Sequence, residues 1–173
     1  MQEDAIDSFA RKVTDQIPHL RRYAVALVGD RVHADDLVQD CLERALSRSH
    51  LWREGNLRGW LFTIMHNIHA NFRRRAARSP LMSSVDIESL SAAARPSQED
   101  GLAMAGLSAA LGALPEEQRS VILLIGLEEF SYAETAAVLG VPIGTVMSRL
   151  HRGRERLRQL LVNESGPTLR RVK

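Results

Sequence analysis

Apolar side chains recur every three or four positions from the start of the chain to about Arg78, and this spacing predicts amphipathic α-helices. Four such stripes follow one another with short joints, which is typical of a compact helical bundle. We expect the third helix to begin near His33 and the fourth near Leu57. The predicted inward positions are Ile6, Phe9, Ala10, Val13 and Ile17, then Leu20, Tyr23, Ala24 and Leu27, then Leu37, Val38, Cys41, Leu42, Ala45 and Leu46, and finally Trp60, Leu61, Ile64, Met65, Ile68 and Phe72.

The pattern changes between residues 79 and 103, where the periodicity fades and Ser, Ala and Pro accumulate. Such a composition predicts a flexible linker. Helical spacing returns near Met104, stops at Pro115 and then resumes. We therefore expect an all-α protein with two small helical domains, over residues 1–78 and 104–163, joined by a flexible linker over 79–103 and followed by a basic tail over 164–173.

The segment from residue 130 to 154 predicts two helices joined by a tight turn. Ser131 and Glu134 have the spacing of a capping box, and Gly140 stands where a helix ends in a left-handed residue. Pro142 suits the first turn of the next helix. This is the pattern of a helix-turn-helix whose second helix reads DNA. The predicted inward positions of that second helix are Val146, Leu150 and Leu157.

Charge distribution decides between this interpretation and an ordinary helical hairpin with solvated arginines. The formal net charge is only +2, yet eight basic residues follow Val141 against Glu155 and Glu164 alone. The preceding stretch, 116–134, carries five glutamates against Arg119. A focused basic region is the electrostatic footprint of a phosphate-binding element. The residues left to face DNA are Thr145, Ser148, Arg149, His151 and Arg152.

The third predicted helix has an acidic outer face, formed by Asp35, Asp36, Gln39, Asp40 and Glu43. One interpretation is a solvated face, with acids favoured near the helix N-terminus by its dipole. The other is a docking surface for a protein partner, since other surfaces of the chain are basic.

The fourth predicted helix combines side chains that suit melted or single-stranded DNA. Asn and His can bond base edges, Trp can stack on a base, and arginines can hold phosphates. The residues concerned are Trp60, His66, Asn67, His69, Asn71, Arg73, Arg74 and Arg75. His66 and His69 also have metal-like spacing, but no companion ligand stands at a suitable distance, so we expect no metal site.

Composition excludes several other classes. The single cysteine, Cys41, excludes a disulfide framework, and at a core position it is expected to be an inert apolar residue. We find no basic-then-apolar leader and no apolar run of about 18 residues, so we expect a cytoplasmic protein. No nucleophile elbow, phosphate-binding glycine loop or acid–base pair is visible, so we expect neither enzymatic activity nor a cofactor.

Three segments in order resemble the extracytoplasmic-function (ECF) group of bacterial RNA polymerase sigma factors. They are Leu20–Leu46, with its Asp-Asp-Leu-Val-Gln-Asp run, then Leu57–Arg75, and then Leu111–Leu161 with the helix-turn-helix. The resemblance implies a promoter-melting domain and a −35-reading domain, and binding to core RNA polymerase and promoter DNA. It also implies an anti-sigma factor as a partner, and a linker that threads toward the polymerase active cleft.

The resemblance also assigns roles to residues. In the family the acidic segment docks on a coiled coil of the largest polymerase subunit, which implies core binding by Asp35, Asp36, Gln39, Asp40 and Glu43. The second segment and the loop before it, His50–Gly55, capture a flipped −10 base, which implies contacts from Trp52, Asn56, Trp60, His66, Asn67, Asn71, Arg73, Arg74 and Arg75. The recognition helix reads the −35 element, which implies Thr145, Met147, Ser148, Arg149, His151, Arg152 and Arg154.

Three departures from the family pattern concern promoter sequence more than function. His66 and Met147 stand where basic residues are usual, and Gly153 stands where Ala is usual. A helix-interior glycine costs roughly 0.5–1 kcal/mol.

Two alternative functions remain. One is a sigma-like adaptor that sequesters an anti-sigma factor without initiating transcription, and the other is a conventional repressor or activator. A repressor or activator would leave the first half unexplained.

Overall fold

The computed structural model describes residues 2–52, 55–78 and 98–164, and the whole of this part is helix and short connection. We refer to residues 2–78 as the first half and to residues 98–164 as the second half. The helices are α1 (Gln2–Thr14), α2 (Ile17–Val28), α3 (Arg31–Ser47), a 3-10 turn (Ser49–Leu51), α4 (Leu57–Arg78), α5 (Gln98–Gly112), α6 (Glu116–Gly126), α7 (Tyr132–Leu139) and α8 (Ile143–Glu164).

Local sequence signals account for most helix ends. Gly29, at φ 82°, ends α2 and donates its N–H to the Val25 carbonyl. The Ser131 and Glu134 capping box starts α7 as predicted, and Gly140 ends it at φ 63°. A left-handed residue at a helix C-terminus satisfies carbonyls that the helix leaves open, and glycine adopts it without steric cost.

Among the predicted core positions of the first half whose burial the structure describes, which leave out Ile6, two are wrong. Leu20, Tyr23, Leu27, Leu61 and Met65 are almost completely buried, as expected. The predicted inward positions Leu46 and Phe72 are instead 48% and 54% exposed. Leu46 lies in the last turn of α3, and Phe72 lies in the last two turns of the 22-residue α4. α4 is much longer than its 12-residue neighbour α2, so its end extends beyond the bundle.

The second half differs from the prediction at the start of α5. This helix begins at Gln98 instead of near Met104, so residues 98–103 of the predicted linker are helical. Gln, Glu and Asp at its first three positions explain the difference, because acidic residues are favoured in the first helical turn. Residues 79–97 of the linker and 165–173 of the basic tail lie outside the described residues. Pro142 directly precedes α8, and its carbonyl accepts the N–H groups of Thr145 and Val146.

Gly153 marks a close crossing of α6 and α8. A Cβ atom built on it would lie 2.8 Å from Cδ1 of Ile122 and 3.1 Å from Cβ of Gln118. Glycine at this position therefore has a packing role that offsets its cost in helix propensity.

The two halves share one apolar core. Leu123, Leu124, Phe130 and Val138 of the second half belong to the same buried cluster as the residues of α2, α3 and α4. The ring of Phe130 packs edge-on against that of Phe62, with 5.0 Å between centroids. The sequence predicted two helical domains, and the structure in addition packs α7, the first helix of the helix-turn-helix, against α4.

Candidate polymerase and nucleic-acid interfaces

The acidic face of α3 is open to solvent along its whole length. Its five residues are all exposed, whereas Ala34, Leu37, Val38 and Cys41 of the same helix are buried. Arg21 donates to Oδ1 of Asp35 at 3.0 Å, and the Gln39 amide donates to Glu43 at 3.0 Å. The face is therefore a continuous acidic strip, formed by Asp35, Asp36, Gln39, Asp40 and Glu43.

Helix α4 carries its polar residues on two sides. On the solvent side, Asn67, Asn71 and Arg74 are exposed, and Trp60 is half-buried. Arg74 donates to the Asn71 side chain at 2.8 Å. These residues stand at positions i, i+7, i+11 and i+14, which places them along one line of the helix surface. Arg75 is exposed beside them. This line combines a ring, two amides and a guanidinium.

The packed side of α4 faces the second half, which separates His66 and Arg73 from the rest of the predicted −10 set. Nε of Arg73 donates to Glu116 at 3.1 Å, and Nε2 of His69 lies 3.2 Å from the other carboxylate oxygen. His66 is half-buried, and burial lowers the pKa of its imidazole. The hydrogen bond with His69 lowers the pKa of Glu116. In this arrangement His66 is half-buried, and Arg73 is paired with Glu116 although its side chain is 63% exposed.

Trp52 and Asn56, the members of the predicted −10 set that precede α4, also have protein partners. The indole of Trp52 packs against the ring of Phe9, with 5.3 Å between centroids. Asn56 caps α4, accepting the N–H of Gly59 at 2.8 Å, and donates to Glu134 at 3.1 Å. Residues 53 and 54 of the predicted base-capturing loop lie outside the described residues.

The recognition helix α8 exposes most of its predicted DNA-reading residues. Met147 is 51% exposed, and Ser148, His151, Arg152 and Arg154 are exposed as well. Arg152 donates to the Ser148 carbonyl at 3.2 Å. Two candidates are less available. Thr145 is half-buried, and the side chain of Arg149 is only 20% exposed because it pairs with Glu117 of α6 at 2.9 Å.

A group of charged residues that the sequence analysis missed joins the two halves. The Glu128 side chain is fully buried, and the first half supplies all the side-chain partners described for its carboxylate. Nε of Arg22 donates at 2.9 Å, Nη2 of Arg58 donates at 2.8 Å, and Nδ1 of His19 lies 3.1 Å away. The hydrogen bond from Arg22 raises the pKa of that arginine. We call these four residues the Glu128 cluster.

Long sequence separation explains why the Glu128 cluster was missed. Arg22 and Glu128 are 106 residues apart, so no local spacing connects them. The one available signal was the Glu128–Glu129 pair, which directly follows an apolar helix.

Two family models match the two halves. Residues 13–66 match the Sigma2 domain of PhyR, and residues 105–157 match region 4 of the sigma-70 family. The chain is 36% identical over 157 residues to the ECF RNA polymerase sigma factor EcfG of Rhodopseudomonas palustris, covering 90% of this chain and 86% of that protein. The chain belongs to the ECF group of RNA polymerase sigma factors.

Solved structures support the fold of this ECF sigma factor across both halves. The sigma factor RpoE of Bartonella quintana, crystallised with the anti-sigma factor NepR, is 38% identical, with a TM-score of 0.78 over 90% of this chain and 97% of that one. CnrH, in complex with the cytosolic domain of CnrY, is 25% identical, with a TM-score of 0.69 over 94% and 95%. Among sequence relatives, the ECF RNA polymerase sigma factor SigL of Mycobacterium tuberculosis is 34% identical over 152 residues, which cover 86% of this chain and 85% of SigL.

Three further observations concern other chemistry in this sigma factor. Within residues 2–52, 55–78 and 98–164 no three His, Cys, Asp or Glu side chains are arranged to hold a metal ion. No helix in these same ranges is both long and apolar enough to cross a membrane. Burial raises the pKa of the Cys41 thiol to about 12, so this side chain is a neutral core group.

Proposed function

We propose that this sigma factor binds core RNA polymerase through the acidic face of α3 and directs it to promoters through α4 and α8. One observation carries the proposal: a single chain related to an ECF sigma factor over 90% of its length exposes an acidic face on α3, amides and arginines on α4, and a basic surface on α8. Exposed carboxylates on a regular helix can pair with a basic partner helix. We infer a DNA-binding regulator that is not an enzyme and that works in the cytoplasm.

The solvent side of α4 is the proposed contact with the −10 element. Trp60 can stack on or beside a base, Asn67 and Asn71 can bond base edges, and Arg74 can hold a phosphate. Extruding a base costs a few kcal/mol, and binding the extruded base supplies that energy without ATP. Trp52, Asn56, His66, Arg73 and Arg75 complete the proposed −10 set.

The exposed face of α8 is the proposed contact with the −35 element. Ser148, His151 and Arg152 can reach base edges in the major groove, and Arg154 can pair with a phosphate. Thr145, Met147 and Arg149 complete the set. Arg149 would have to exchange its Glu117 partner for DNA, so we expect it to contribute less than Arg152.

An anti-sigma factor is the proposed regulatory partner. RpoE and CnrH, which resemble this chain over at least 90% of its length, were both solved as complexes, RpoE with an anti-sigma factor. The similarity to both structures extends over both halves of this chain.

Run-off transcription with purified core RNA polymerase on genomic DNA fragments tests the proposal. Discrete transcripts that require this protein are expected, and mapping their start sites would reveal the promoters. Asp40→Arg should abolish them together with core binding, whereas Glu155→Arg, an exposed acid outside the acidic face, should leave core binding intact. Tight core binding without transcripts on any genomic fragment would contradict the promoter-directing role.

A second candidate function is the sigma-like adaptor. The match of residues 13–66 to the Sigma2 domain of PhyR favours it, because PhyR of Bartonella quintana is described as an anti-anti-sigma factor. That structure is only 15% identical, so its similarity concerns the fold. Absence of core binding in the run-off assay would favour the adaptor.

A further inference from the structure

The packed side of α4 meets the second half through charged groups. At one end of the interface lies the Glu128 cluster, where a carboxylate without solvent exposure meets an imidazole and two guanidinium groups. Arg58 also donates to the Glu128 backbone carbonyl, and its guanidinium lies 4.7 Å from the centre of the Phe130 ring. A buried carboxylate without partners is costly, so Glu128 strongly favours contact with the first half.

Elsewhere in the interface, the second half contacts the first through two carboxylates and a guanidinium. Glu116 accepts from Arg73 and lies 3.2 Å from His69, near the C-terminal end of α4, whereas Glu134 accepts from Asn56, near the Glu128 cluster. Arg119 donates to the backbone carbonyl of Leu27 in the first half at 2.9 Å. The carboxylates of Glu116 and Glu134 thus occupy donors that nucleic acid would otherwise use. Carboxylates and phosphates compete for the same guanidinium groups.

These contacts engage part of the proposed −10 surface. His66 is half-buried, and Asn56 and Arg73, although exposed, bond to Glu134 and Glu116 of the second half. Asn67, Asn71 and Arg74 are exposed and have no such bond among the contacts described. The arrangement can therefore bind only part of an opened strand. Complete contact requires the second half to leave the packed side of α4.

We propose that the chain restrains itself: the Glu128 cluster holds a closed form in which carboxylates of the second half bond Asn56 and Arg73 and His66 is half-buried, and DNA binding requires that cluster to open. This inference rests on the proposed function, because it takes those three residues as DNA contacts. A partner that contacts both halves would then select a form that the chain already adopts by itself.

Glu128→Gln tests the inference, with Glu129→Gln as the matched control. The amide preserves shape but removes the charge that faces Arg22 and Arg58, whereas Glu129 is exposed and lies outside the cluster. Small-angle X-ray scattering of the full chain should give a radius of gyration near the compact expectation of about 16 Å for the wild type and Glu129→Gln, and an increase above about 2 Å for Glu128→Gln.

Binding to a fluorescein-labelled random single strand, of about 20 nucleotides, provides the second readout. We expect Glu128→Gln to bind about tenfold tighter than the wild type and Glu129→Gln to bind like the wild type. Tenfold corresponds to a closed form that outnumbers the open form by about ten to one. Circular dichroism should show unchanged helix content. Glu128 lies in the connection between α6 and α7, and its side-chain partners belong to the other half, so the substitution removes contacts between the halves and none within a helix.

Three results would overturn the inference: an expanded wild type, a Glu128→Gln protein that stays compact, or one that expands without binding DNA more tightly. Should Glu128→Gln lose helix content, Glu116→Gln decides by the same two readouts, since it releases Arg73 and His69 at the partly exposed end of the interface. Neither readout uses polymerase, so failure here is distinct from failure of run-off transcription.

Discussion

The two sides of α4 carry similar residue types in different surroundings. On the packed side, Arg58 and Arg73 pair with carboxylates of the second half, whereas on the solvent side Arg74 bonds only the Asn71 side chain among the contacts described. The difference teaches that residue type alone does not assign an arginine to DNA. The Glu128 carboxylate makes Arg58 an interface residue, and the solvent around Arg74 leaves it available to phosphate.

Removing Arg58 is expected to have the largest effect. Arg58→Ala leaves the buried Glu128 carboxylate with one fewer donor and removes the guanidinium from the Phe130 ring, so we expect a loss of about 3 kcal/mol in the free energy of unfolding. Urea denaturation followed by circular dichroism measures it. Arg74→Ala, an exposed arginine of the same helix, should cost less than about 1 kcal/mol. Equal losses for the two variants would contradict the distinction between the two sides.

The solvent side should matter for promoter opening instead. Asn67→Ala removes a proposed base-edge hydrogen bond, worth about 1–3 kcal/mol, without touching the interface. We expect reduced permanganate reactivity of the melted strand and little change in the initial closed complex. Ser47→Ala, at an exposed position at the end of α3, is the control. Unaltered reactivity in Asn67→Ala would remove this residue from the −10 set.

Salt dependence separates the two neighbouring arginines by a smaller effect. Arg74→Ala should reduce the slope of log affinity against log salt by about 0.7 for single-stranded DNA, the value for one lost phosphate contact. Arg73→Ala should reduce it less, because Arg73 must first leave Glu116. Titrations of a labelled single strand at several salt concentrations measure both. A larger change for Arg73 would show that its ion pair with Glu116 does not reduce its contact with DNA.

The comparison also shows how far sequence reasoning reached. Local signals predicted the helix ends around α7, because Ser131, Glu134 and Gly140 act within one turn of their own positions. The exposed acidic face was predicted because its residues share one helix. Glu128 was missed because its partners lie 70 to 109 residues away.

Gly153 and the division of α4 show the same limit. From the sequence, only the helix propensity of Gly153 was considered. The structure shows that a side chain at this position would collide with Ile122 at the crossing of α6 and α8. His66, His69 and Arg73 stand at i, i+3 and i+7, a spacing that indicates one common side. Sequence alone did not show that the second half covers that side.

The smallest expected effect is on the pH dependence of the interface. Burial lowers the pKa of His66, and His69, Glu116 and Arg149 are the charged or titratable groups that act on it. A lowered histidine pKa means that opening favours protonation, so the closed form is most stable above the ordinary value near 6.5 and weakens as pH falls below it. Glu116 acts in the same direction, because its lowered pKa contributes stability that is lost as pH falls from about 4.5 through the depressed value.

The urea midpoint should therefore fall between about pH 7.5 and about pH 5, and His66→Gln should reduce that fall. His151→Gln, an exposed histidine on α8, should leave the pH profile unchanged. A midpoint that rises toward acid in the wild type would contradict the assigned sign. A profile unaffected by His66→Gln would contradict the assignment of the fall to His66, because the contribution of Glu116 is lost only below about pH 4.5.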